Sequence, residues 1–83
     1  MRVFFVTFRS VTLAQRGERV LNRGKISCQL QRTPRWMEEQ GCGYALRVRG
    51  DDVARAVELL RGSGIQFRKV YRQQGGAVEE AEL

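Results

Sequence analysis

An α+β fold with elements in the order β-α-β-β-α-β follows from three observations. Segments rich in Val and Phe, or alternating apolar with polar, recur at residues 2–8, 26–31, 44–49 and 65–72. Two stretches, after Ser10 and after Asp51-Asp52, repeat apolar residues at the three- and four-residue spacing of an amphipathic helix. Gly24, Pro34, Gly50 and Gly64 fall between these segments, where the chain must turn. Two right-handed βαβ units interleaved in this order give a four-stranded antiparallel sheet with both helices on one face, the ferredoxin-like architecture.

Each element has its own reason. Arg2–Phe8 is dense in Val and Phe and reads as a strand. Ser10 supplies a helix N-cap, because its hydroxyl can accept from an orphan backbone N–H. Val11, Ala14, Gly17 and Leu21 then mark the buried stripe, and Gly24 stops the helix. Gly17 on that stripe predicts a close approach of helix to sheet. Ile26, Cys28 and Leu30 alternate with Ser27, Gln29 and Gln31, so the second strand is half buried and ends at Pro34. Residues 32–43 connect to a third strand. There Tyr44, Leu46 and Val48 face inward while Ala45, Arg47 and Arg49 face outward. Asp51 or Asp52 caps a second helix with the stripe Val53, Ala56, Val57 and Leu60, closed by Ser63-Gly64. Ile65–Arg72 reads as the fourth strand. Residues 1–73 are thus a single domain, and 74–83 a flexible acidic tail.

The chain of 83 residues carries a net charge of +6, but the charge is uneven. Residues 1–74 hold all 15 Lys and Arg and only 6 of the 9 Asp and Glu, so the body is +9. A field of that sign favours an anionic partner, whether RNA, DNA, an acidic protein or a small anion. No apolar run approaches the length of a membrane span, and no secretory leader is visible, so the expected compartment is the cytoplasm. There is no histidine. That removes the commonest general base, and with it Ser-His or Cys-His hydrolysis within this chain. Two cysteines 14 residues apart form no metal-ligand pattern, so neither a metal nor a cofactor is expected.

The two cysteines stand in different surroundings. Cys28 is in register with Ile26 and Leu30 and reads as a small core hydrophobe. Cys42 lies between Gly41 and Gly43, in the stretch EEQGCGYALRVRG at residues 38–50. Glycine on both sides leaves a thiol open to another molecule. A hairpin pairing Leu30 with Tyr44 and Ile26 with Val48 would put Cys42 level with Arg32, with Arg35 close in sequence. Guanidinium groups favour the nucleophilic thiolate, while Glu38 and Glu39 act the other way. A chance cysteine in a Gly-rich turn fits these residues about as well.

A second reading starts from the basic third strand. Gly43-Tyr44-Ala45-Leu46-Arg47-Val48 is faintly like the RNA-binding strand of RNA-recognition domains, which needs aromatic rings on the open face to stack bases. Phe4, Phe5 and Phe8 of the first strand are the candidates for one exposed ring.

The order and spacing of several short motifs resemble the selenium/sulfur carrier-like family of small domains. They are Val6-Thr7-Phe8-Arg9-Ser10, a Thr33-Pro34-Arg35 turn, and Cys42-Gly43 opening the strand Tyr44-Ala45-Leu46-Arg47. Gly64-Ile65 and Val70-Tyr71 complete the likeness, which spans roughly residues 2–72. The chain differs in having Glu38-Glu39-Gln40-Gly41 before the Cys-Gly pair, where the family usually has small hydroxyl residues. The resemblance implies a carrier, not an enzyme. Cys42 would hold a sulfur or selenium atom as a persulfide or perselenide, taken from a donor protein and passed to an acceptor protein. Arg32 and Arg35 would favour the thiolate, and Gly41 and Gly43 would give partners room. The alternative is a non-catalytic module that binds RNA or an acidic protein through Arg47, Arg49 and the open face of the sheet. A small-molecule-binding regulatory domain is a third reading.

Overall fold

A computed structural model describes residues 2–33 and 43–81 of the chain. Five strands and two helices are present among them: β1 (Val3–Phe8), α1 (Val11–Arg23), β2 (Cys28–Arg32), β3 (Tyr44–Arg49), α2 (Val53–Gly62), β4 (Val70–Gln74) and β5 (Ala77–Ala81). The strands form one sheet in the order β2-β3-β1-β4-β5, with each neighbour antiparallel. The sheet therefore has five strands, not four. Residues 77–81, expected as part of a loose tail, are its edge strand.

The fifth strand has a local cause. Gly75 and Gly76 both take positive φ, 59° and 89°, and join Gln74 to its partner Ala77. A two-residue loop of that kind matches the twist of the flanking strands and makes a tight hairpin. The acidic run then finds cations across the ladder. Arg72 pairs with Glu79, and Lys69 Nζ lies 3.5 Å from Glu80. Both pairs are well exposed, so each adds only about 0.2–1 kcal/mol, but they favour this register over its neighbours.

β4 also starts later than expected. Residues 65–69 are not regular strand, because Arg68 and Lys69 together oppose the single residue Thr7. Arg68 N–H donates to the Thr7 carbonyl, while Lys69 N–H donates to Thr7 Oγ1 at 3.0 Å and Thr7 N–H donates to the Lys69 carbonyl. Two residues against one is a β-bulge. It breaks the period of two, which is why alternation is lost near Lys69-Val70.

Both helices pack on one face. Phe4, Val6 and Phe8 of β1, Leu46 and Val48 of β3, Ala14 and Leu21 of α1, and Val53, Ala56, Val57 and Leu60 of α2 form one buried cluster. Gly17 faces it directly. A Cβ there would stand 3.1 Å from Phe8 Cζ, 3.2 Å from Leu60 Cδ2 and 3.3 Å from Leu46 Cδ1. The missing side chain lets α1 sit this close.

α1 begins as expected, with Ser10 Oγ accepting from Leu13 N–H at 3.2 Å. Its end is less ordinary. Gly24 has a normal φ of −81°, and the residue in the left-handed region is Lys25, at φ 62°. Gly24 lies against α2 instead, where a Cβ would fall 2.5 Å from Leu59 Cδ1 and that side chain would have to swing aside. Ile26 N–H reaches back to the Leu21 carbonyl at 2.9 Å. α2 closes in the same way, with Gly64 at φ 71° and Ile65 N–H on the Leu60 carbonyl at 3.0 Å. Both ends are Schellman caps, and Ile26 and Ile65 are the buried residues that follow them. Asp52 stands at the N-cap of α2, but its side chain makes no capping bond.

The two caps generate a paired prediction. An L-residue in the left-handed region costs about 1 kcal/mol or more relative to glycine. Lys25→Gly is expected to raise the unfolding free energy by several tenths to about 1 kcal/mol, and Gly64→Lys to lower it by a similar amount. Urea denaturation of both variants reads this out. Loss of stability in Lys25→Gly would show that the lysine side chain holds the cap.

Candidate functional site

β1, β3 and β2 end together at one edge of the molecule. Phe8 is opposite Tyr44, and Tyr44 is opposite Arg32. One residue further, Thr33 N–H donates to the Gly43 carbonyl at 3.0 Å. The ladder between β2 and β3 therefore continues to Thr33 and Gly43, and both are buried. Residues 34–42, with Cys42 among them, connect these two clasped points. Cys42, Arg35 and Gly41 lie outside the described residues.

The observed register changes part of the expected site. Cys28 is opposite Val48, Leu30 opposite Leu46 and Arg32 opposite Tyr44. The pairing of Leu30 with Tyr44 is therefore out by two residues. Arg32 is exposed at the end of β2 and stands level with Tyr44, not with Cys42. Gly43, expected to give partners room, is buried at the foot of the hairpin. Sequence reasoning also passed over Thr33. Its residue exposure is only 6%, and its hydroxyl has no hydrogen-bond partner among the described residues. A buried hydroxyl next to Pro34 in the Thr33-Pro34-Arg35 turn was the available signal.

Arg47 and Arg49 are exposed on the face away from the helices, as the alternation of β3 implies. That face is not uniformly polar. Ala45 is fully buried and Phe5 is only 5% exposed, and Val3, Tyr71 and Val78 pack with them. Phe4 and Phe8 point into the main core. None of the three phenylalanines presents a free ring, so the base-stacking platform of an RNA-recognition strand is not formed by them. Arg32 lies on the helix side with Tyr44 and Leu46, so the sheet does not bring it together with Arg47 and Arg49.

Cys28 is half buried and packs against the main core without being enclosed by it. It is a free thiol, and burial followed by the Glu18 carboxylate pushes its pKa up to about 11. Desolvation and a nearby negative charge both disfavour thiolate. Cys28 is therefore a poor nucleophile at neutral pH, which suits a structural role. Among the described residues no group of three or more Cys, Asp or Glu is placed to hold a metal ion. No helix among them is long and apolar enough to cross a membrane.

Two outcomes follow. With Cys42 replaced by Ser, alkylation of Cys28 is expected to be slow at about pH 8 and to rise about tenfold per pH unit until about pH 11. Mass spectrometry after iodoacetamide measures it, and a plateau near pH 9 would remove the desolvation account. Separately, Arg47→Glu with Arg49→Glu is expected to leave thermal unfolding nearly unchanged, within about 0.5 kcal/mol, because both side chains are exposed. An unfolded double variant would mean that they are held by the sheet.

The family model described as "Putative Se/S carrier protein-like" matches residues 4–72. That span runs from β1 into β4 and includes Cys42-Gly43. No curated protein and no solved structure gives a match.

Proposed function

The chain belongs to the Se/S carrier-like family, and from that premise we propose that it carries sulfur or selenium on Cys42. The observation that supports this best is where the family match and the fold meet. The matched span contains a Cys-Gly pair, and the carbonyl of that glycine accepts from Thr33 N–H where the β2-β3 ladder ends. A carrier needs a thiol presented from a firm base, so that donor and acceptor find it in one place. The other cysteine is unsuited to the task, since its thiol is held protonated and half buried.

The transfer balances without a cofactor. The Cys42 thiolate attacks the outer sulfur of a donor persulfide. A new S–S bond forms at Cys42 Sγ, the donor's S–S bond breaks, and its electron pair leaves as the donor thiolate. The outer sulfur keeps its proton. The acceptor repeats the step in reverse, and selenium follows the same course. Nothing is hydrolysed, so the chain acts as a carrier and not as an enzyme. A reducing compartment such as the cytoplasm keeps the thiol free of disulfides. We read β2-β3-β1-β4 with its two helices as a ferredoxin-like unit, extended by β5.

The RNA-binding alternative has less support. Arg47 and Arg49 are exposed, but the rings that would stack on bases are buried. Docking of an acidic donor protein on these arginines is compatible with the carrier reading.

Incubation with a persulfide-generating desulfurase, followed by intact mass, tests the proposal. The native chain is expected to gain one sulfur atom, Cys28→Ser to gain it equally, and Cys42→Ser to gain none. Loading that persists in Cys42→Ser would overturn the assignment.

A further inference from the structure

We infer that a basic depression at the start of α1 binds a phosphate-type oxyanion, independently of Cys42. The depression measures about 770 Å³. Four separate parts of the chain build it: Arg9 after β1, Leu13 in the first turn of α1, Arg61 in the last turn of α2, and Phe67, Arg68 and Lys69 in the bulged segment before β4. Four of its nine lining residues are cations and none is acidic.

Three features give this cluster the character of an anion site. First, α1 is 13 residues long and carries no acid in its first turn. Ser10 takes the Leu13 N–H, and the amides of Val11 and Thr12 have no acceptor within the helix. The helix end therefore adds a positive field to the side-chain charge. Second, the Arg61 guanidinium lies over the Phe67 ring, 5.6 Å from its centroid, which holds this cation at the rim. Third, Arg9 is exposed and makes no ion pair with any described residue. Lys69 has Glu80 at 3.5 Å, but that pair is exposed and costs little to share.

The chemistry of the depression selects among anions. Single-stranded nucleic acid needs an open ring for stacking, and Phe67 is half buried with Arg61 across it. An acidic peptide spreads its carboxylates along a strip. Here guanidinium groups and an ammonium line one concavity beside the positive end of α1, which suits a compact group with several oxygens.

Inorganic pyrophosphate is the probe, followed by amide NMR at constant ionic strength. Saturable shifts are expected at Val11, Thr12 and Leu13 and at Arg68 and Lys69. Arg9→Gln with Arg61→Gln is expected to weaken binding about tenfold, since each substitution removes one of the charges that line the depression. Both side chains are exposed, and a melting curve checks that the variant folds. Arg9→Gln alone is the second variant, expected to weaken binding about threefold. Arg47→Gln with Arg49→Gln makes the same change in net charge on the other face and should alter binding less than about twofold. Non-saturating shifts over the whole basic surface would overturn the inference. So would equal weakening by the two double variants, or binding of a poly-glutamate peptide where pyrophosphate does not bind.

Discussion

β1 is enclosed on both edges and both faces, and the rest of the molecule is arranged around that fact. Val6, Thr7 and Phe8 have no exposed surface at all. A strand in that position cannot leave a polar group unpaired without a cost of about 1–3 kcal/mol. Thr7 meets the requirement with its own hydroxyl, which bonds the main chain of Lys69 in the bulge. Phe8 sets the second constraint. Its ring limits how near α1 can come, since a Cβ at position 17 would stand 3.1 Å from it and the ring would have to give by a few tenths of an ångström. The same residue is in register with Tyr44, so the burial of β1 also fixes where β3 begins. The foot of the cysteine hairpin is one residue beyond.

Much of this was legible in the sequence. The helix stripes, the Ser10 cap, the close approach at Gly17 and the faces of β3 all follow from spacing and residue type. The fifth strand was missed because acids and small residues disguised it. Ala77–Ala81 has neither aromatic nor β-branched density beyond Val78, and reads as a solvated run. Its signal was the Gly75-Gly76 pair flanked by residues able to pair, together with the charge match to Arg72 and Lys69. The bulge at Arg68-Lys69 was hidden for another reason. It depends on a side chain 62 positions away, and no local pattern carries that information. The hairpin register erred by two residues, which keeps every side chain on its proper face. Alternation alone is blind to a slip of that size.

The site divided in the same way. Glycines flanking Cys42 suggested access, yet Gly43 is buried and works as a clasp with Thr33. The basic charge, treated as one field in the sequence, is divided among distinct places. Arg47 and Arg49 lie on one sheet face, Arg32 lies at the hairpin end, and Arg9, Arg61, Arg68 and Lys69 line a depression. The two thiols are divided in role as well. A raised pKa makes Cys28 a poor partner for thiol exchange near neutrality, which on the proposed carrier reading leaves Cys42 for the cargo. A carrier with two competing thiols would lose its load as an internal disulfide.

Onward transfer tests the central claim most directly, because a dead-end modification would also load the thiol. The chain is charged with heavy-isotope sulfur from a desulfurase, freed of the donor, and then mixed with an acceptor thiol protein. The account predicts that the heavy sulfur leaves the native chain intact and appears on the acceptor as a persulfide, in proportion to the load carried on Cys42. Heavy sulfur that stays on the chain, or that leaves no faster from the folded chain than from the unfolded one, would contradict it.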